Sequence, residues 1–208
     1  MIGRSRVPEL SIATVGVRSH SGWAAYVVLA GDPKEPEVVA RGRMQLCDLA
    51  VKGAKQPFHE AEPMAFGAAE KFIGRCAATT QSLADKAADE ICARTNLSAC
   101  CVLAASGKPL PDLKGILASH ALIHTAEGEF YRDAIDRAFA RRKIVVRRIR
   151  ERDIEMELLN LPPGVAAAKA RVAEFGKKLG PPWTQDEKLS AFGAWLMLAA
   201  LPARRRQG

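Results

Sequence analysis

Ala99 to Ala105 reads ACCVLAA, a short run that is apolar at every position. A strand with one wet face alternates apolar and polar residues, whereas an unbroken apolar run has both faces covered. The run therefore predicts a central parallel strand, closed by a loop at Ser106-Gly107-Lys108-Pro109. A parallel strand needs long crossovers, and helical patterns flank it on both sides. Upstream, from Glu60 or Pro63 to about Ala93, an Ala-rich segment carries Phe66, Ala69, Ile73, Ala77, Leu83, Ala87 and Ile91 at helical spacing. Gly74 and Thr79-Thr80 are candidate breaks in it, and Asn96 suits its stop. Downstream, a helix from Thr125 to about Arg142 precedes KIVVRRI, Lys143 to Ile149, a further strand.

Further out, three β-prone runs stand in series: Ile12–Val17, Trp23–Leu29 and Val38–Leu46. Short turns at Ser19-His20-Ser21-Gly22 and Gly31–Pro36 join them, which predicts an antiparallel meander. After the last strand, Arg150–Leu161 holds a short helix ending at Pro162-Pro163, and Val165–Leu179 is helical up to Gly180-Pro181-Pro182. Thr184-Gln185-Asp186-Glu187 is a T-x-x-E capping box opening a helix that is apolar nearly all round. Right-handed crossovers then give an α/β fold: one mixed five-stranded sheet, order 3-2-1-4-5, with helices on both faces. The expectation is a single domain over residues 1–208, with residues 1–10 as a flexible arm and 202–208 as a basic tail.

Hydrophobic residues make up 48% and charged residues 26%, enough apolar mass for a real core. No run of about 18 apolar residues is present to span a bilayer, and MIGRSRVPELS lacks a signal peptide's apolar region, so a cytoplasmic protein is expected. Five cysteines without metal spacing read as reduced thiols, with Cys100 and Cys101 as packing residues. No C-x-x-C or H-E-x-x-H occurs, so no metal and no cofactor is expected. The formal charge is +8, from 31 Lys+Arg against 23 Asp+Glu. That excess favours anionic partners, nucleic acid among them. It concentrates at Arg141, Arg142, Lys143, Arg147, Arg148 and Arg150, and in the Arg204-Arg205-Arg206 tail.

The densest polar chemistry lies in Ser119 to Phe139, SHALIHTAEGEFYRDAIDRAF. Thr125 is the expected N-cap, which puts Glu127 and Glu129 in a first turn where the helix dipole favours acids. Glu129 falls on the outer face with the i,i+4 pairs Arg132–Asp136 and Asp133–Arg137. Glu127 shares a face with Tyr131, Ala134 and Ala138 and leans inward. Asp186 likewise opens a helix on its buried side, with Leu189, Gly193 and Leu196. His120 and His124 flank the same segment, and a histidine beside carboxylates suits general acid–base work near neutral pH. His59, Glu60 and Glu62 form a second group ahead of the long helix, read most simply as helix N-terminal acids.

The element order resembles the ribonuclease H-like superfamily, and within it the Holliday-junction resolvases of the RuvC and YqgF families. TVGVRSHSGWAAYVVLAG looks like their first strand, tight turn and second strand. VLAASGKPLP resembles their central strand and exit loop, and RERDIE, Arg150 to Glu155, their segment after the next strand. The likeness spans roughly Ile12 to Leu201. It implies two divalent metals held by a first-strand aspartate with acids of the fourth strand and last helix. This sequence departs there: Arg18, or Ser19 with slippage, stands at the aspartate's position, and ACCVLAAS carries no acid. A cation repels Mg²⁺, so only Asp186 keeps a catalytic acid's placement.

The reading that follows is a ribonuclease H-like, nucleic-acid-associated protein without two-metal nuclease activity, using Arg141, Arg142, Lys143, Arg147, Arg148 and Arg150. The alternative is an enzyme acting on a small substrate, with Glu127, His124, Asp186 and His20 converging in one cleft at the strand C-terminal ends. A scaffold or oligomerisation module is the third; the sequence signals no particular oligomeric state.

Overall fold

The computed structural model describes residues 11–105, 109–161 and 164–202. The arm, Ser106-Gly107-Lys108, Pro162-Pro163 and the Arg204-Arg205-Arg206 tail lie outside the described residues.

The meander forms as β1 (Ile12–His20), β2 (Trp23–Ala30) and β3 (Glu37–Gln45). β1 runs to His20, beyond the predicted Val17, because Gly22, at φ 83°, closes a turn of only two residues that pairs His20 with Trp23. The apolar run extends back to give β4 (Asn96–Ala104), parallel to β1 on one side and to β5 (Val145–Arg150) on the other. The sheet order is β3-β2-β1-β4-β5, as the element order predicts. β4 has no exposed face: Ala99, Cys100, Cys101 and Val102 are inaccessible to solvent. Burial pushes the Cys101 thiol up to about 12 and the Cys100 thiol well above its usual value. Both act as small apolar residues in the core.

Strand alternation sorts the core into two layers. Val15, Val17, Cys100 and Val102 face α2 (Phe66–Cys92) and α4 (His120–Arg141), with the short α1 (Pro57–Ala61) and α3 (Leu113–Leu117). Ala99, Cys101, Leu103 and Ile149 face α5 (Ile154–Leu158), α6 (Val165–Leu179) and α7 (Gln185–Ala200). α2 passes through Gly74 and Thr79-Thr80 unbroken. Lys143, expected to start the last strand, sits in the α4–β5 turn with φ 59°.

α4 starts earlier than Thr125. Ser119 is the N-cap, and the extra turn buries Ile123 and Ala126. Thr125 instead donates its hydroxyl to the Ala121 carbonyl at 3.1 Å, as a mid-helix threonine does. Core burial of Ile123 outweighs the local capping preference. Glu129 is buried rather than outward, and neither predicted i,i+4 pair forms: Arg132 binds Glu129 at 2.9 Å and Arg137 binds Gln81 at 2.7 Å.

α7 is announced correctly. Thr184 and Glu187 make the reciprocal capping box, and Trp195 is wholly buried with its Nε1 donating to the Pro33 carbonyl at 2.7 Å. The helix lies directly along β1. Thr14 Oγ1 donates to the Ala194 carbonyl at 2.7 Å, and Gly16 lies so close that a Cβ there would stand 1.9 Å from the Ser190 oxygen. Arg18 meets Asp186. Every second residue on the strand, roughly 6.7 Å, thus matches one turn of the helix, roughly 5.4 Å. That ladder sets the acidic start of α7 against the end of β1.

Candidate functional site

At the C-terminal end of β1 four side chains converge. Arg18 forks onto Glu151, just past β5, through Nε at 3.0 Å and an Nη at 2.9 Å. Its other Nη donates to Asp186 Oδ1, at the start of α7. His20 Nε2 lies 2.8 Å from the same Asp186 oxygen. His20 and Arg18 are two apart, so the strand's alternation turns both toward α7. On its other side the His20 ring stacks on Trp23 at 4.4 Å and 17°, and the Arg43 guanidinium lies 4.2 Å over that indole. Burial pushes the Asp186 carboxyl up, but the hydrogen bonds from Arg18 and His20 outweigh it and hold the carboxyl below its ordinary value.

A carboxyl held below its unfolded value adds stability that is complete above the ordinary carboxylate range and is lost as pH falls through its folded value. Asp186→Asn should therefore cost about 1–3 kcal/mol at neutral pH, since it removes a charge-assisted partner of Arg18. The gap from the parent chain should close on acidification below about pH 4. Urea unfolding followed from neutral to acidic pH measures it; a gap independent of pH would uncouple Asp186 ionisation from folding.

The residues at this strand end do not present a free set of acids for two divalent metals. Two of the carboxylates present, Asp186 and Glu151, are both engaged by the Arg18 guanidinium, and residues 99–104 of β4 supply no acid. A guanidinium held between two carboxylates fills the place that a cation would need.

The four predicted catalytic residues do not share one cleft. His20 and Asp186 meet at the strand end. His124 and Glu127 lie on α4, on the opposite face of the sheet. Glu127 is 4% exposed, and its Oε1 accepts from the backbone N–H of Phe58 at 2.7 Å and of His59 at 3.1 Å. It does cap a helix, but the helix is α1, whose own N-cap Gln56 makes no side-chain bond. His59 Nδ1 adds a contact at 3.2 Å. Burial pushes the Glu127 carboxyl up, against the lowering effect of the bonds from His59 and Phe58. Around this acid gather His59, His120 and His124, with ring centroids 4.6–5.4 Å apart.

The basic stretch splits rather than forming one face. Arg141 pairs with Asp85; Arg142 with Asp85 and Asp89; Arg147 with Glu157; Arg150 with Asp153. Arg148 holds three carboxylates, Glu129, Asp133 and Asp136. β5 alternation sends Arg147 toward α5 and Arg148 toward α4. Arg142 and Arg148 are thus built into acid networks. Arg141, Arg147 and Arg150, each about half exposed, have single surface partners, and such pairs are worth little. Lys143 is exposed.

Sequence reasoning missed Glu151 as the second partner of Arg18; its only signal was its place directly after the last strand. It also missed His59 as a neighbour of His120 and His124.

No helix among the described residues is long and apolar enough to cross a membrane. No family model matches the sequence, and no curated protein matches it. Among solved structures, Thermus thermophilus RuvC in complex with Holliday junction substrate is similar at 11% identity, with a TM-score of 0.53, covering 89% of this chain and 91% of that one. A second structure of Thermus thermophilus RuvC is similar at 12% identity, with a TM-score of 0.50, covering 88% of this chain and 92% of that one. With the observed strand order, the likeness shows a ribonuclease H-like α/β fold.

Proposed function

We propose that this chain is a ribonuclease H-like protein that binds nucleic acid without cleaving it by two-metal chemistry. The observation that carries the reading is Arg18, locked between Asp186 and Glu151 at the position where the resemblance would place a metal-binding aspartate. The charge of +8 favours a polyanion; Lys143 is exposed, and Arg141, Arg147 and Arg150 are free enough to exchange carboxylate for phosphate. The His20–Trp23–Arg43 stack puts a planar cation beside the site, the kind of surface on which unpaired bases stack. The RuvC structure with a Holliday junction is a precedent for the fold holding DNA, at the level of fold alone.

Fluorescence anisotropy with single-stranded DNA, a DNA–RNA hybrid and a four-way junction tests this. Binding should be salt-sensitive and independent of sequence. The triple change Arg141→Gln, Arg147→Gln, Arg150→Gln should lower the salt slope by about three. No cleavage should follow on adding Mg²⁺. The reading fails if nothing binds at low salt, or if cleavage appears that both a chelator and Asp186→Ala abolish.

One observation favours a second reading, an enzyme for a small substrate. A cleft of about 700 Å³ opens beside Glu151, floored by Ile154, Leu158, Val172, Leu189 and Phe192 and rimmed by Arg152, Lys188 and the Lys169–Glu155 pair. Its lining comes from α5, α6, α7 and the two residues that follow β5, so it adjoins one strand C-terminal end, the side on which open α/β sheets bind ligands. Saturable protection of the melting temperature by a small anion, lost on Lys188→Ala and unaffected by DNA, would favour it.

A further inference from the structure

On the α4 face of the sheet, away from Arg18, three imidazoles meet. His59 comes from α1; His120 and His124 stand one turn apart at the start of α4. One nitrogen from each ring lies within 4.8 Å of the other two. The ring planes cross at 66–87°, so no two of the three rings stack face to face. His120 Nε2 and His124 Nε2 are 3.2 Å apart. Two imidazole nitrogens at usual Zn–N lengths and a tetrahedral angle would stand roughly 3.3 Å apart.

The surroundings orient two of the rings. Metal-bound histidines commonly present their second ring nitrogen to a carboxylate. Glu127 Oε1 sits 3.2 Å from His59 Nδ1, and Glu62 Oε1 faces His120 Nδ1 at 3.6 Å. That leaves Nε2 of His59 and His120 for a ligand bond, and His124 turns its Nε2 toward that of His120. Glu127 is itself fixed by the α1 backbone, while its Oε2 is buried without a hydrogen-bond partner among the described residues. A cation on His59 would place compensating charge beside that buried carboxylate. A hydrogen bond between His120 and His124 would explain one pair of rings, but not the third ring beside them.

We propose that His59, His120 and His124 bind a divalent transition-metal ion, with Zn²⁺ the best fit, leaving a fourth position open to water or a small anion. Three neutral imidazoles suit Zn²⁺, Co²⁺, Ni²⁺ or Cu²⁺, whereas Mg²⁺ and Ca²⁺ take oxygen ligands. Three protein ligands with one open position is the pattern of reactive zinc; structural zinc has four. His120 and His124 are exposed, so the open position faces solvent. This site stands or falls independently of nucleic-acid binding.

The test uses the whole chain, tag-free and stripped with chelator, titrated with Zn²⁺ by calorimetry and with Co²⁺ by visible absorption. One equivalent should bind, with the intense bands of four-coordinate Co²⁺, and Zn²⁺ should raise the melting temperature. His124→Ala removes an exposed ring and should leave the circular dichroism unchanged. It should weaken Zn²⁺ by more than the roughly 10–100-fold that an orienting partner is worth, and Glu62→Gln should fall within that range. Both variants keep all five cysteines. Unchanged Zn²⁺ affinity in His124→Ala and His120→Ala would place the binding elsewhere in the chain and overturn the site. Failure of the folded parent chain to bind one equivalent would also overturn it.

Discussion

Gly16→Ala is expected to destabilise the chain by about 3 kcal/mol or more, enough to leave it partly unfolded at ordinary temperatures. The added Cβ would stand 1.9 Å from the Ser190 oxygen, 2.7 Å from the Ala194 nitrogen and 2.8 Å from the Ser190 carbonyl carbon. All three are backbone atoms of α7, so no side-chain rotation relieves the clash. The strand cannot retreat either, since β1 is paired on both edges, with β2 and β4. The helix must lift, and lifting it separates Thr14 from Ala194 and Arg18 from Asp186. Gly193 is a useful contrast, because a Cβ there meets only the Cys101 and Leu103 side chains, at 3.0 Å and beyond, so Gly193→Ala should cost far less. Gly74→Ala, with nothing within 4 Å in the interior of α2, should stabilise by up to about 1 kcal/mol. Urea unfolding of the three variants checks the order. If Gly16→Ala melts within about 1 kcal/mol of the parent, the direct seating of α7 on β1 is wrong.

The same strand shows how far sequence reasoning reaches. What was legible depended on short-range pattern. ACCVLAA is apolar because both faces of β4 are covered, and the Thr184–Glu187 box lies within four residues. The sheet order followed from element order and handedness. What was not legible depended on partners distant in the chain. Thr125 looked like a cap because its competitor, the burial of Ile123 in a core of many elements, leaves no local trace. Glu127 was recognisable as an inward acid, but its partners lie 68 and 69 residues away on α1. Arg18 was recognisable as the wrong charge for a metal site, while Glu151, which fixes it, is 133 residues on. The basic stretch was half legible: its charge is plain in the sequence, but which arginines the acids of α2, α4 and α5 engage depends on chain-distant packing.

Arg148 puts that last point to a test with a large effect. It stands on β5, paired in register with Val102 of β4, and reaches over to α4. There its three nitrogens take Glu129 at 2.6 Å, Asp133 at 2.5 Å and Asp136 at 2.5 Å. These acids lie four and three residues apart and so share one face of the helix. Arg148→Ala would leave three carboxylates facing one another over a partly buried surface, with only Arg132 still bonded to Glu129. Breaking a buried pair costs roughly 3–5 kcal/mol, and the partial exposure of Arg148, Asp136 and above all Asp133 brings that to about 2–4 kcal/mol at neutral pH. Arg148→Lys should recover only part, because one ammonium cannot fork to three acids. The pH dependence has a definite sign. Burial already pushes the Asp136 carboxyl up against the opposing pull of Arg148. Without the arginine the folded-state carboxyls rise further, and a raised carboxyl contributes stability below its unfolded value that is lost as pH rises through the folded one. The deficit of Arg148→Ala should therefore shrink as pH falls from 7 toward about 4. Its salt slope for DNA, measured where the variant is folded, should match the parent, unlike that of the triple Arg141, Arg147 and Arg150 variant. An unchanged melting point at pH 7 would show that Arg148 does not hold α4 to the sheet. A salt slope reduced by about one would show that it contacts phosphate after all.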